Sequence, residues 1–254
     1  MTQLVDYYDE KVWGSIYGNR YLLQREKKCI SIISGYKKTI SKVLDVGCGN
    51  GFFLTHIASS LNDGVEYYGV DYSMNSLKEA RKIFPKGRFK QGDIEEGLPY
   101  KDNVFDLVYA AELVEHLQNP DLFFEEVNRI IKPGGKLVIS TPNLCAWYNR
   151  ILVLFGVQPI FYETSTRSPK IGSGLLRRIK KGTVPVGHVR IFTQRALSDH
   201  LEAAGFTVNC FKGANFASLP KALLFIDSLF SFYPRLSSNI ICSATKDTKN
   251  INGN

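Results

Sequence analysis

Residues 43–54 read VLDVGCGNGFFL, and the fold follows from them. Val43, Leu44 and Val46 surround Asp45 as a short apolar run, the profile of a strand end buried on both faces. Gly47, Gly49 and Gly51 follow at alternate positions, and from Phe52 to Ser60 the pattern turns helical. A strand that turns into a helix over glycines leaves a notch of nucleotide size. No side chains hold a ligand off the backbone there, and the helix N-terminus offers its N–H groups. The dinucleotide fingerprint is G-x-G-x-x-G; here the spacing is G-x-G-x-G, with Asp45 two residues ahead of the first glycine.

This D-x-G-x-G-x-G run resembles motif I of the class I S-adenosylmethionine (SAM) methyltransferases. The resemblance implies that the loop holds the methionine part of SAM rather than a pyrophosphate. Residues 66–70 (EYYGV) read as a second strand ending at Asp71, 20 positions beyond Gly51, the distance at which a carboxylate meets ribose hydroxyls. A carboxylate accepts two hydrogen bonds at once, which suits a cis-diol; the other reading of Asp71 is an acid at a helix start. Tyr72 is placed to pack on the adenine face, and Ser73 reads as the N-cap of a helix covering 77–84. Residues 88–92 make a third strand. The resemblance implies that Asp93 then accepts the adenine amino group while the backbone N–H of Ile94 meets a ring nitrogen. A simple turn aspartate is the alternative at Asp93.

Residues 105–110 (FDLVYA) form a fourth strand, whose small Ala110 and Ala111 would let the methionine part lie against the backbone. An amphipathic helix over 121–131 is stopped by Lys132-Pro133-Gly134-Gly135, and 136–140 is a fifth strand. E-x-x-E-H-L from Glu112, N-P-D from Asn119, K-P-G-G from Lys132 and S-T-P-N from Ser140 resemble the subgroup containing the ubiquinone-biosynthesis O-methyltransferases. That likeness runs from about residue 43 to 143.

Residues 144–187 are too long for an ordinary loop. They carry Trp147, Tyr148, Phe155, Phe161 and Tyr162, and the resembling family inserts its acceptor-recognition element at this point. They are read as a substrate cap with short helices over 146–155 and 174–181. His188-Val189-Arg190-Ile191-Phe192-Thr193 rejoins the family pattern H-x-R-x-F-T; Thr193 N-caps a helix over 194–204, Gly205 stops it, and 206–212 is a sixth strand. Residues 219–230 are amphipathic to apolar, and 239–245 form the last strand. The alternation predicts an α/β fold: a doubly wound, mainly parallel, seven-stranded Rossmann-like sheet whose final strand is antiparallel. Residues 1–36, with Tyr7, Tyr8, Trp13, Tyr17 and Tyr21, read as an N-terminal helical cap. Most of its rings pad the sheet and one or two close the cofactor site.

The 254 residues are 44% hydrophobic and 22% charged, which fits one domain over 1–254 with a full core. Asp6, Asp9 and Glu10 stand where a signal peptide needs its apolar stretch, and the apolar runs 151–157 and 222–232 are too short to span a bilayer. Cys29, Cys48, Cys145, Cys210 and Cys242 are scattered without a C-x-x-C, which predicts free thiols in a reducing cytoplasm and no disulfide framework or metal site. The net charge is +8, and Arg150, Arg167, Lys170, Arg177, Arg178, Lys180 and Lys181 share one segment whose only acid is Glu163. Such an excess serves an anionic lipid surface, a nucleic acid or an acidic substrate, and equally a plain solvated face.

In a SAM methyltransferase the methyl group is already activated, so the protein aligns two reactants and keeps water out, leaving S-adenosylhomocysteine as product. An oxygen acceptor also gains from a general base, typically about 10²–10⁴-fold. His116 is the first candidate for base or acceptor-orienting group, and His188, where the insertion returns, is the second. The alternatives are a His116 fixed by Glu115 or Glu112 and a His188 that builds a turn with Arg190 and Thr193. His56 and His200 sit in helical patterns as ordinary surface or packing residues. The aromatic insertion points to a small-molecule or amphipathic acceptor, with Arg177, Arg178, Lys180 and Lys181 meeting a phosphate, a carboxylate or a membrane surface. No nucleic-acid-binding module is recognisable. Two other readings stay open: a nicotinamide-dependent oxidoreductase, opposed by the glycine spacing, Asp45 and Asp93, and a SAM-binding scaffold without turnover.

Overall fold

The computed structural model describes residues 22–178 and 185–248; the five rings of the expected N-terminal cap, with Lys180 and Lys181, lie outside them. Strand β1 (Lys42–Val46) shows why the sheet must be covered on both faces. Leu44 and Val46 enter one apolar cluster and Val43 the other. The same alternation recurs in β4 (Phe105–Ala111), where Val108 and Leu107 take opposite sides. It recurs again in β7 (Asn239–Lys246), with Ile240 and Cys242 on one side and Ile241 on the other. Side chains that alternate along a strand and are all apolar require a layer above and a layer below.

Helices α1 (Gln24–Ser34), α2 (Phe52–Ser60) and α3 (Met74–Ile83) supply one layer, with Ile33, Leu54, Ile57 and Leu77 fully buried. Helices α4 (Pro120–Ile130) and α6 (Gln194–Ala203) supply the other through Phe123, Phe124, Ile130, Leu197 and Leu201. Between them β2 (Glu66–Asp71), β3 (Arg88–Gln91), β5 (Ile131–Pro142) and β6 (Phe206–Ala214) complete seven strands in the order β3-β2-β1-β4-β5-β7-β6. Only β7 runs against its neighbours β5 and β6; the other pairs are parallel. The expected N-caps are in place: Ser73 accepts from Ser76 N at 3.1 Å, and Thr193 accepts from Ala196 N at 3.1 Å.

The Lys132-Pro133-Gly134-Gly135 stretch departs from its reading as a loop. α4 ends at Ile130 and β5 begins at Ile131, so these residues lie inside the strand. The register against β4 shifts between Phe105 and Leu107 to absorb them. A Cβ on Gly135 would stand 2.7 Å from Ile131 Cγ2, so only glycine lets the chain fold back this tightly.

Segment 144–187 carries α5 (Trp147–Leu154) and a 3-10 turn (Gly174–Arg178) where a helix to 181 was expected. Neither apolar cluster takes a member from its described residues. It is held instead by specific contacts: Trp147 Nε1 donates to Asp227 Oδ1 at 2.9 Å on α7 (Lys221–Phe230), and its ring stacks on Phe230. No described helix is long and apolar enough to cross a membrane.

Candidate active site

The notch forms where β1 and β2 end. Gly47, Gly49 and Gly51 all adopt positive φ, at 74°, 51° and 72°. A Cβ on Gly47 would come within 3.2 Å of Leu113 Cδ1, and one on Gly51 within 3.2 Å of both Ala80 Cβ and Phe89 Cζ. The loop is pinned to β2, since Gly47 N and Cys48 N donate to Val70 O at 2.8 and 3.1 Å. Asp71 takes Gly49 N on Oδ2 at 2.8 Å and Ser73 N on Oδ1 at 2.9 Å, so backbone donors fix its carboxylate at the strand end.

These elements open on a cavity of about 660 Å³, within the roughly 300–1,000 Å³ of small-molecule sites. Asp45, Gly47, Asp71, Tyr72, Ile94 and Ala111 line it, and so do both His116 and His188. Four expected residues are outside that lining, of which Gly49 and Gly51 shape the turn behind it. Ala110 is 1% exposed and belongs to the apolar core, because on β4 it points to the face opposite Ala111. Asp93 is outside the lining; its Oδ1 accepts from Glu95 N at 2.9 Å, the turn role that was the alternative. It stays beside the site all the same, two residues past Gln91, the register partner of Asp71.

Charge in the cavity is arranged in opposition. Asp45 is buried, and burial, then the nearby Asp71 charge, pushes its carboxyl well above the usual range. Arg25 on α1 reaches the same space and pairs with Glu112 Oε2 at 2.7 Å. Burial works against its charge, but Glu112 together with Tyr109, Glu26 and Cys29 outweighs this and keeps the guanidinium charged. Its Nε is buried with no hydrogen-bond partner. Glu112 itself holds φ at 52°, costly for a non-glycine residue, and accepts from Ser140 Oγ at 3.2 Å. Arg25 escaped the sequence reading because nothing in its helical pattern sets it apart from Arg20 or Lys27.

Elsewhere in the cavity, His116 Nδ1 lies 3.2 Å from Gly187 O and His188 Nδ1 lies 2.9 Å from Phe161 O. A carbonyl only accepts, so each Nδ1 carries the proton and each Nε2 the lone pair; the tautomers are assigned from these partners. The two ring centroids are 4.8 Å apart. Burial, then His188, lowers the pKa of His116 to about 4, so it is neutral at pH 7. Glu115 is fully buried; burial, then Glu112, raises its pKa well above the usual range. Its Oε2 accepts from Thr141 Oγ1 at 3.1 Å, its Oε1 has no partner, and its backbone carbonyl receives Val189 N and Arg190 N. Phe161, Val186 and Phe216 complete an apolar wall, with the two phenyl rings edge to face at 4.7 Å.

A doubly wound sheet with a glycine-walled cleft at its carboxyl edge defines a nucleotide-cofactor protein. Its residues fit SAM: a cradle that a Cβ on Gly47 would fill, an orphaned guanidinium N–H for a carboxylate, and the buried Asp45 for a cationic group. The family model for a methyltransferase domain matches residues 37–170. The chain is 30% identical over 143 residues to norajmaline N-methyltransferase of Rauvolfia serpentina, covering 52% of this chain and 48% of that protein. It is 35% identical over 111 residues to the chloroplastic tocopherol O-methyltransferase of Arabidopsis thaliana, covering 41% and 31%. A SAM-dependent methyltransferase of Thermotoga maritima shares the fold at TM-score 0.62 and 17% identity, over 97% of this chain and 100% of that one. The chain belongs to the class I SAM-dependent methyltransferase family, whose cofactor is SAM. The matches span about half or less of the length of these two curated relatives.

Proposed function

We propose that the chain moves the methyl group of SAM to an oxygen atom of a small, amphipathic or lipid-like acceptor. The observation that carries this reading is that His116 and His188, from segments far apart in sequence, share one cavity with the glycine loop. Bound SAM supplies a methyl group activated on a sulfonium. Asp71 and Tyr72 hold its ribose and adenine, the Ile94 backbone its ring edge, and Arg25 and Asp45 its amino-acid end. Phe161, Val186 and Phe216 seat the apolar part of the acceptor and exclude water. With a pKa of about 4, His116 is a poor store for a proton at pH 7. Its part is to help position the acceptor oxygen against the methyl group.

Relatives named for nitrogen and for oxygen methylation leave nitrogen as the second reading. Incubating the chain with methyl-labelled SAM and a panel of phenols, catechols and amines separates them. Label in phenolic ethers supports the proposal, and label in amines alone overturns it.

A lipid-like acceptor also suits the exposed Leu154, Phe155, Phe225 and Phe232, with Arg150 one turn before Leu154 on α5. Contact with an anionic lipid surface through this apolar and basic face belongs to the same proposal, as does a cytoplasmic location, which suits the five free cysteines. Flotation with anionic but not neutral vesicles is the expected result.

A further inference from the structure

The turn after β4 and the return of segment 144–187 bring Glu115, His116 and His188 together. One ligand atom from each lies within 4.8 Å of the others. We propose that these three side chains bind a divalent transition-metal ion, with its remaining positions open to the acceptor oxygen.

Three observations point to an ion and not to a plain hydrogen-bond cluster. Each imidazole gives its Nδ1 proton to a backbone carbonyl, Gly187 O for His116 and Phe161 O for His188. That is the arrangement that fixes ring and tautomer when Nε2 is the ligand. Glu115 is fully buried, with Oε2 tied to Thr141 and Oε1 without any partner. A buried carboxyl oxygen left unmatched, on a side chain within reach of two imidazoles, is a donor that a cation would satisfy. The donors are also of one chemical kind. Two nitrogens and a carboxylate suit zinc, manganese or ferrous ions, whereas magnesium and calcium sites are built from oxygen. In a tetrahedral site with bonds of about 2.0–2.1 Å, ligand atoms stand about 3.4 Å apart, so closure needs side-chain shifts on the order of 1 Å. The sequence hides this set because His188 stands 72 positions from His116, far outside any local ligand spacing.

The role of the ion rests on the methyltransferase reading; the binding does not. As Lewis acid it would lower the pKa of an acceptor hydroxyl, whose proton leaves to water. The acceptor oxygen lone pair then forms the new O–CH₃ bond. The S–CH₃ bond breaks with its electron pair staying on sulfur, which becomes a neutral thioether.

The test uses the full chain without an affinity tag, stripped with a chelator and titrated with Zn²⁺ by calorimetry, Mn²⁺ by electron paramagnetic resonance and Co²⁺ by visible absorption. S-adenosylhomocysteine binding is measured on the same samples. The expected result is one ion per chain, with affinity at least about tenfold weaker in His188→Ala and in Glu115→Gln, and S-adenosylhomocysteine binding retained. A wild-type chain that binds no ion, or a His188→Ala chain that binds as well as wild type, overturns the proposal. S-adenosylhomocysteine bound without an ion defeats the metal and spares the methyltransferase reading; an ion bound without S-adenosylhomocysteine does the reverse. Should Glu115→Gln fail to fold, His188→Ala decides, since His188 lies outside both apolar clusters.

Discussion

The two halves of the cavity are built on different plans. The cofactor half comes from the ends of consecutive strands: Asp45 and Gly47 after β1, Asp71 and Tyr72 after β2, Ile94 after β3. Each residue is placed by the strand that precedes it, and the backbone bonds from Gly47, Cys48 and Gly49 lock one strand end to the next. The other half, which we assign to the acceptor, is gathered from His116, Phe161, Val186, His188 and Phe216, joined by side-chain contacts outside the sheet. Seven hydrogen-bonded strands fix the first half, while the second draws on a segment from which neither main apolar cluster takes a described residue. The first half is suited to one ligand, and the second can change without unfolding the sheet.

The sharpest way to break that contrast is Gly47→Val. A side chain at φ 74° facing Leu113 adds strain of about 1–3 kcal/mol plus a steric contact, so S-adenosylhomocysteine affinity should fall about 100-fold by calorimetry. Asp71→Ala removes charge-assisted bonds and should weaken the same binding tenfold or more, on the order of 1.5–3 kcal/mol. Arg25→Met tests the residue that the sequence did not reveal, with an expected rise of about fivefold in the KM for SAM and little change in the KM for acceptor. Phe161→Ala should invert that split, raising acceptor KM about threefold while S-adenosylhomocysteine binding holds; equal losses in both would erase the distinction between the halves.

The smallest effect concerns the opposite edge of the sheet. Burial works against the Asp106 carboxylate, but Lys132 Nζ at 2.6 Å, Ser41 Oγ at 2.6 Å and the backbone N–H groups of Ser41 and Lys42 outweigh it and hold its pKa below the usual value. A folded value below the unfolded one gives stability that is present above the unfolded pKa and fades as pH falls through the folded one. Asp106→Asn should therefore lower Tm by up to about 3 °C at pH 7, and the difference should shrink as the pH falls below the ordinary carboxylate range.

What could be read from the sequence follows the same division. The succession of strands and helices along the chain, the caps at Ser73 and Thr193 and the glycine turn were legible because each is set by residues within a few positions. The strand ending at Ala110 was placed correctly, but which of Ala110 and Ala111 faced the ligand depended on a period-two register that two small residues do not reveal. Pro133-Gly134-Gly135 read as a stop because a bulge and a loop use the same residues; only pairing with β4 tells them apart. Arg25 and Glu112 are 87 positions apart, and Glu115 gains its meaning from Thr141 and His188. Such meetings depend on tertiary packing and leave no local pattern.

The measurement that bears most directly on the account is a calorimetric titration of the full chain with S-adenosylhomocysteine and, separately, with NADH. The account predicts saturable binding of one S-adenosylhomocysteine per chain and no heat with NADH. Saturation by NADH, or no binding of S-adenosylhomocysteine by folded protein, would contradict it.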